Sequence, residues 1–238
     1  MKIMTYNIQH GANCLFSGEI NLDGVVEVLK KYEPVIVGLN EVRGEGPRKD
    51  YTAQTEYIAE KAGYPYFFYG PAIMVDGKNP YGNAILSKYP IVSAEAIKIP
   101  DAQKAVFGTE YESRNIVKAK IDLGGKIITV LATHFGLYPD EIINAIYTAV
   151  ENFEGEKCII MGDFNLTPDS PFITAFEFAD KFVDTANVTE ELLYTYPSHK
   201  PDRKIDYMFV SRDIAVKSVT VPQTTQSDHT PYLAELEF

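Results

Sequence analysis

Six apolar segments of this 238-residue chain each lead into a carboxylate, an amide or an imidazole. Asn7 closes TYN, Glu41 closes VIVGLNE, His134 closes ITVLATH, and Asp163 and Asn165 close IIMGDFN. Asp206 lies within KIDYMFV, and Asp228 and His229 stand just before the last apolar run. One polar residue at the end of a core strand is ordinarily a turn cap or a satisfied buried group. Eight of them need a different account. Burying several carboxylates without partners costs several kcal/mol each, so these groups must pair with one another or hold a cation. The chain therefore has to fold so that many strand ends meet in one place.

The segments between these residues read as follows. KIMTYNI (2–8) is rich in β-formers, and NLDGVVEVLKKYE (21–33) carries Leu22, Val25, Val26 and Leu29 at helical spacing behind an Asn/Asp start. PVIVGLNEV (34–42) is a buried strand, a helix is expected over 52–62, and strands are expected near 65–70, 82–87 and 91–99. NIVKAKIDL (115–123) puts Val117, Ala119, Ile121 and Leu123 on one face before Gly124-Gly125 turns it into KIITVLATHF (126–135), a hairpin. PDEIINAIYTAVENF (139–153) opens with Pro and two acids and lines up Ile142, Ile143, Ile146, Ala149, Val150 and Phe153, as an amphipathic helix does. The strand KCIIMGDFN, a short helix near 170–177, and strands at 204–210, 215–221 and 231–237 complete the reading. Strands apolar on both sides, with hairpins and interspersed helices, predict an α/β fold of two mixed sheets packed face to face, helices outside.

A chain this long, with 45% apolar and 12% aromatic residues, can bury a large core, and one domain over 1–238 is expected. The longest apolar runs, such as Ile127–Ala132, are far too short to span a bilayer, and MKIMTYNI is already strand-like. A cytoplasmic protein without membrane insertion, and a monomer, is the expectation. Cys14 and Cys158 have no metal-like spacing and are expected to be reduced. With 22 Lys+Arg against 33 Asp+Glu, the formal charge of −11 repels polyanions and makes long nucleic acid a poor partner.

Asp163 and Asn165, two apart, project to the same side of an extended segment while Phe164 faces the core. Adjacent Asp228 and His229 need a turn to act together, and QTTQSD supplies one. The stretches TYNI, LNEV, YGNAILSKYPI, ATHF, GDFN, IDYMFVS and SDH, in this order from residue 4 to 229, resemble the successive motifs of the endonuclease/exonuclease/phosphatase superfamily. That group contains deoxyribonuclease-like nucleases, apurinic endonucleases, neutral sphingomyelinases and inositol polyphosphate 5-phosphatases. The resemblance implies a four-layered α/β sandwich and a metal-dependent phosphoesterase.

Position by position, it implies that Glu41 is the principal ligand of Mg²⁺ or Mn²⁺, with Asn7 and Asp228 near the same ion; hard oxygen donors suit both metals. It implies that Asp206 and His229 are the carboxylate-imidazole pair at the scissile phosphate. Asp163 would orient the nucleophile or transfer a proton, Asn165 would donate to phosphoryl oxygens, and His134 would lie beside the leaving group. Asn83 and Arg114 would complete the phosphate-binding wall, although EYESRNIVKA matches the family's Arg-containing pattern only loosely. The chain is near the minimum size of the fold, leaving residues 43–51, 100–114 and 198–204 as the substrate-facing loops. Lys200, Arg203 and Lys204 in the last of these are either solvated or a site for a second anionic group. A small phosphodiester or phosphomonoester is the expected substrate, with nucleic acid the alternative. A catalytically inactive binding domain would have lost one of Glu41, Asp163, Asp206 or His229, and all are present.

Overall fold

The computed structural model describes residues 1–13, 15, 19–102, 111–177 and 181–238. Its strands form two six-stranded sheets. The first contains β1 (Lys2–Asn7), β2 (Ile36–Arg43), β3 (Tyr66–Val75), β4 (Asn79–Ser87), β11 (Ala215–Thr220) and β12 (Tyr232–Glu237), in the order β11-β12-β1-β2-β4-β3. The second contains β5 (Ile91–Lys98), β6 (Asn115–Asp122), β7 (Ile127–His134), β8 (Cys158–Asp163), β9 (Val183–Asp184) and β10 (Asp206–Val210), in the order β5-β6-β7-β8-β10-β9. Each sheet has one parallel pair at its centre, β1 with β2 and β7 with β8, and is otherwise antiparallel.

Ile3, Ile36 and Ile85 of the first sheet pack against Val117, Val130, Ala132, Ile159 and Met161 of the second. The outer face of the first sheet, with Met4, Tyr6, Val37 and Leu39, is covered by Val25, Val26 and Leu29 of α1 (Leu22–Tyr32) and Ile58 and Ala59 of α2 (Gln54–Ala62). The outer face of the second, with Leu131, Ile160 and Phe209, is covered by Ile142, Ala145 and Ala149 of α3 (Pro139–Asn152) and by Phe153 just after it. The short α4 (Pro171–Glu177) follows β8. The result is a four-layered sandwich in which central strands are buried on both faces, as their unbroken apolar runs require.

Local chemistry sets the helix ends. Asn21 accepts from the Gly24 amide at 3.0 Å at the start of α1, and Glu141 Oε2 accepts from the Leu137 and Tyr138 amides before α3. Two features differ from the sequence reading. Ile143, placed on the apolar stripe of α3, is 39% exposed, because the buried stripe runs through Ile142, Ala145 and Ala149 instead. Strand β3 continues past residue 70 to Val75 and turns into β4 through Asp76 and Gly77, at φ +53° and +74°, a backbone that an Asp-Gly pair adopts readily. Cys158 is buried and free of any disulfide; Cys14 lies outside the described residues. Among the described residues, no helix is long and apolar enough to cross a membrane.

Candidate active site

The two parallel pairs bring their carboxyl ends to the same side of the sandwich. Asn7 aligns with Asn40 in β1/β2, His134 with Asp163 in β7/β8, and Asp206 starts β10 opposite Asp163. A crevice beyond the carboxyl ends of parallel strands is where open α/β sheets hold ligands.

A β-bulge shapes the rim. Between Leu39 and Val42, strand β2 contains one residue more than β4 opposite, and Glu41 within this bulge has φ +59°. The bulge re-aims consecutive side chains. Asn40 turns toward the second sheet, accepting from the Asp163 amide at 3.0 Å and donating to Thr133 O at 2.8 Å. Glu41 faces the crevice, its Oε1 accepting from Asn7 Nδ2 at 3.0 Å and its Oε2 from the Tyr81 hydroxyl at 2.6 Å. Gln9, His10 and Asn165 also have positive φ, at 44°, 47° and 54°. Such conformations are uncommon for residues with a side chain and tend to gather at functional sites.

Beneath this rim runs a ladder of amides. Asn40 donates to Asn83 Oδ1 at 2.8 Å, Asn83 to Asn115 Oδ1 at 2.8 Å, and Asn115 to Gly70 O at 3.0 Å. Asn83, read from the sequence as part of the phosphate wall, is 2% exposed and has both ends of its amide engaged here, so it supports the crevice from below. Asn40 and Asn115 were missed in the sequence. Asn40 stands inside β2 beside Glu41, and Asn115 opens β6.

Asp163 is the hub of the site. Its Oδ2 lies 3.1 Å from Asn7 Nδ2, 3.4 Å from His134 Nε2 and 3.5 Å from His229 Nε2, and His229 Nδ1 lies 2.8 Å from Asp206 Oδ2. The surroundings push the two histidines in opposite directions. Burial works against a charge on His229, but the carboxylates of Asp206, Asp163 and Asp228 outweigh it and raise its pKa to about 10. Burial and the positive neighbours Arg114 and His229 push His134 well below its usual value. Arg114 has only donors and lies 2.9 Å from His134 Nδ1, so that nitrogen accepts and the neutral ring carries its proton on Nε2, toward Asp163.

Burial raises the pKa of Asp163, with Asp206 adding to the effect and His229 opposing it. Asp228 is raised by burial too, against the pull of His229 and with the help of Glu41. Oδ1 of Asp206 is buried and makes no hydrogen bond among the described residues. Asn165 Nδ2 donates to Phe135 O at 3.0 Å and lies 3.1 Å from His134 Nε2, two N–H groups side by side rather than a bonded pair, beside Asp163 as its spacing implies, although a left-handed turn rather than an extended strand puts it there. Phe164 is fully buried.

The basic loop is divided. Lys204 is buried in an ion pair with Asp184 at 3.3 Å, pointing inward. Arg203 pairs with Asp202 at 3.1 Å and stacks on Tyr196, whose ring centroid is 5.0 Å from that of His229. Lys200 is exposed. Tyr81 and His10, 3.4 Å apart behind Glu41, had no distinguishing signal in the sequence. Burial and Arg43 depress the His10 pKa to about 4, so it is a neutral neighbour.

The chain belongs to the endonuclease/exonuclease/phosphatase family, whose model matches residues 4–229, and members of that family are hydrolases of phosphoester bonds. Solved structures agree. An endonuclease/exonuclease/phosphatase from Beutenbergia cavernae superposes with a TM-score of 0.81 at 20% identity, over 99% of this chain and 70% of that one. A mannosyl-6-phosphatase from Bacteroides thetaiotaomicron gives 0.79 at 19% identity, over all of both chains. D. rerio TDP2 complexed with a single-stranded DNA product gives 0.72 at 15% identity, over 100% of this chain and 99% of that one. No curated protein sequence matches the chain.

Enzymes of this family generally depend on a divalent metal. Among the described residues, no three His, Cys, Asp or Glu side chains form a closed metal cluster. That does not disqualify a hard ion such as Mg²⁺, which uses one or two carboxylates and leaves its other positions to water and substrate. Glu41 and Asp228 offer two such carboxylates, and their mutual repulsion contributes to the raised pKa of Asp228. A cation between them would remove that repulsion, so the donor set fits.

Proposed function

We propose that the protein is a metal-dependent phosphoesterase that hydrolyses a P–O bond of a small phosphodiester or phosphomonoester by in-line attack of water. The observation that carries this reading is the pair of histidines around Asp163: His229 bound to Asp206 at 2.8 Å, which favours its charged form, and His134 bound to Arg114 at 2.9 Å, which disfavours it. A charged donor and a neutral hydrogen-bond donor on either side of one carboxylate suit phosphoryl transfer. Glu41, Asp228 and Asn7 would hold Mg²⁺ or Mn²⁺, which supplies charge neutralisation on the phosphoryl oxygens.

The remaining roles follow from the protein's own groups. Asp206 accepts a hydrogen bond from Nδ1–H of His229, leaving Nε2–H to donate to a phosphoryl oxygen. Asp163, raised by burial, orients the attacking water and accepts its proton. Asn165 and Arg114 donate to phosphoryl oxygens, and His134 holds the leaving-group oxygen by a hydrogen bond from Nε2–H, the leaving group taking its proton from water. Lys200 and Arg203 are left at the periphery for the rest of the substrate. We take the enzyme to act as a cytoplasmic monomer of one domain.

A small substrate is favoured by the net charge of −11 and by the likeness to a mannosyl-6-phosphatase. A nuclease reading has the TDP2 product complex in its support. The test is a panel of phosphate release and diester cleavage over nucleotides, sugar phosphates, inositol phosphates and short DNA, with Mg²⁺ and Mn²⁺. Metal-dependent turnover of a small ester is expected; turnover of DNA alone would favour the nuclease reading, and no turnover of any ester would defeat both.

A further inference from the structure

Arg114 is a cation with capacity to spare. Its side chain is 12% exposed, and one nitrogen, Nη1, serves both His134 Nδ1 at 2.9 Å and Glu112 Oε1 at 3.2 Å. Its Nε is buried without a hydrogen bond among the described residues. With Nε out of reach, the terminal nitrogens are what an anion would meet, and a guanidinium at a phosphoryl site is an anion receptor, since its planar fork fits carboxylate and phosphate oxygens alike. An anion is already on it. Glu112 lies two residues before Arg114, and its side chain, 42% exposed, can swing toward water, whereas Arg114 is fixed by burial and by His134. Glu112 also feels the like charges of Glu41 and Glu141, so the mouth around Arg114 is acidic.

We propose that Glu112 is a specificity-determining residue: its carboxylate competes with the substrate phosphate for Arg114 and disfavours a dianionic phosphomonoester relative to a singly charged phosphodiester. The inference rests on the phosphoesterase reading above and narrows its substrate class. The argument is one of charge. Any approaching phosphate must displace or share Arg114 with Glu112, and a dianion feels the repulsion of the displaced carboxylate twice as strongly as a monoanion does. At the effective dielectric of a protein surface, one unit charge several ångströms away is enough for a preference of about tenfold.

The experiment compares the full chain with E112Q, E112D and R114M, in Mg²⁺, at pH 8. The readouts are kcat/KM for 4-nitrophenyl phosphate and for bis(4-nitrophenyl) phosphate, and the Kd of inorganic phosphate by calorimetry. E112Q is expected to raise the monoester-to-diester ratio of kcat/KM and to tighten phosphate binding, each by about tenfold, with E112D close to the parent and R114M weaker for phosphate. An unchanged ratio, or equal losses on both esters, would show that Glu112 only supports local structure and would overturn the proposal. If the parent cleaves neither ester, phosphate affinity decides the role of Glu112, and no gain in E112Q overturns it; the phosphoesterase reading itself stands or falls on the wider ester panel above.

Discussion

Asn7 Nδ2 donates to Asp163 Oδ2 at 3.1 Å, joining the last residue of β1 to the last residue of β8. The same nitrogen reaches Glu41 Oε1 at 3.0 Å, so one amide ties the carboxylate at the hub to the carboxylate on the bulged rim across the two sheets. Replacing Asp163 with Asn keeps a side chain of the same shape while removing the proton acceptor. Turnover should fall by about 10²- to 10⁴-fold, the range for a lost general base. Because Asp163 has a raised pKa, its ionised form opposes folding above the pH at which an unfolded carboxyl titrates. The unfolding free energy of the parent should therefore fall more with rising pH above about 4 than that of D163N does, and parallel curves would refute this balance.

His229 binds Asp206 in the interior, so His229→Ala should do two things. It should cost about 10³-fold or more in kcat, and it should destabilise by roughly 3–5 kcal/mol because Asp206 is left buried and unpaired. Adding Asp206→Asn should restore much of the stability and none of the activity. Chemical denaturation of the two variants measures this, and a fully stable H229A would mean that Asp206 reaches solvent.

The same pair predicts a pH effect. His229 has a folded pKa of about 10, above the value near 6.5 that it has when unfolded. A raised histidine contributes stability that is fully present below the unfolded pKa and is lost as pH rises through the folded one. Unfolding free energy should fall between about pH 6.5 and 10, less steeply in H229N. Superimposable stability curves for the two proteins across this window would contradict the assignment.

Metal removal is expected to abolish turnover. Glu41→Gln removes one of the two carboxylates of the proposed ion site, so titration calorimetry should show Mg²⁺ affinity lowered by at least about tenfold, the scale on which even outer partners of a metal matter. Full turnover in excess chelator would exclude the ion.

Long duplex DNA should bind weakly at physiological salt, and kcat/KM on the true substrate should change little with salt, because few phosphates are contacted by a protein of charge −11. Submicromolar duplex binding with a log-log salt slope steeper than about −4 would signal four or more phosphate contacts and a nuclease.

Much of this site could be read before any coordinates. Asn7, Glu41, His134, Asp163, Asp206, Asp228 and His229 announce themselves because a polar residue at the end of an apolar run is costly, and the cost is visible in one dimension. What stayed hidden depends on register between strands. No local pattern says that one extra residue in β2 turns Asn40 and Glu41 to different tasks, that Asn83 lies below the crevice, or that Lys204 turns inward to Asp184 while Arg203 does not. Ile143 was misplaced for a simpler reason: six apolar positions over 15 residues make a stripe wider than the face that α3 actually buries.

The asparagine ladder has a consequence for how such a site can change over time. Asn40, Asn83 and Asn115 carry no charge, have no proton to lose in the physiological range, and satisfy one another through fixed donor-acceptor pairs. A foundation of amides does not respond to the charges placed on it. Changes at the exposed mouth leave these rungs untouched, whereas loss of a single rung strands buried donors and acceptors on its neighbours. Variation is cheap at the mouth and expensive at the floor.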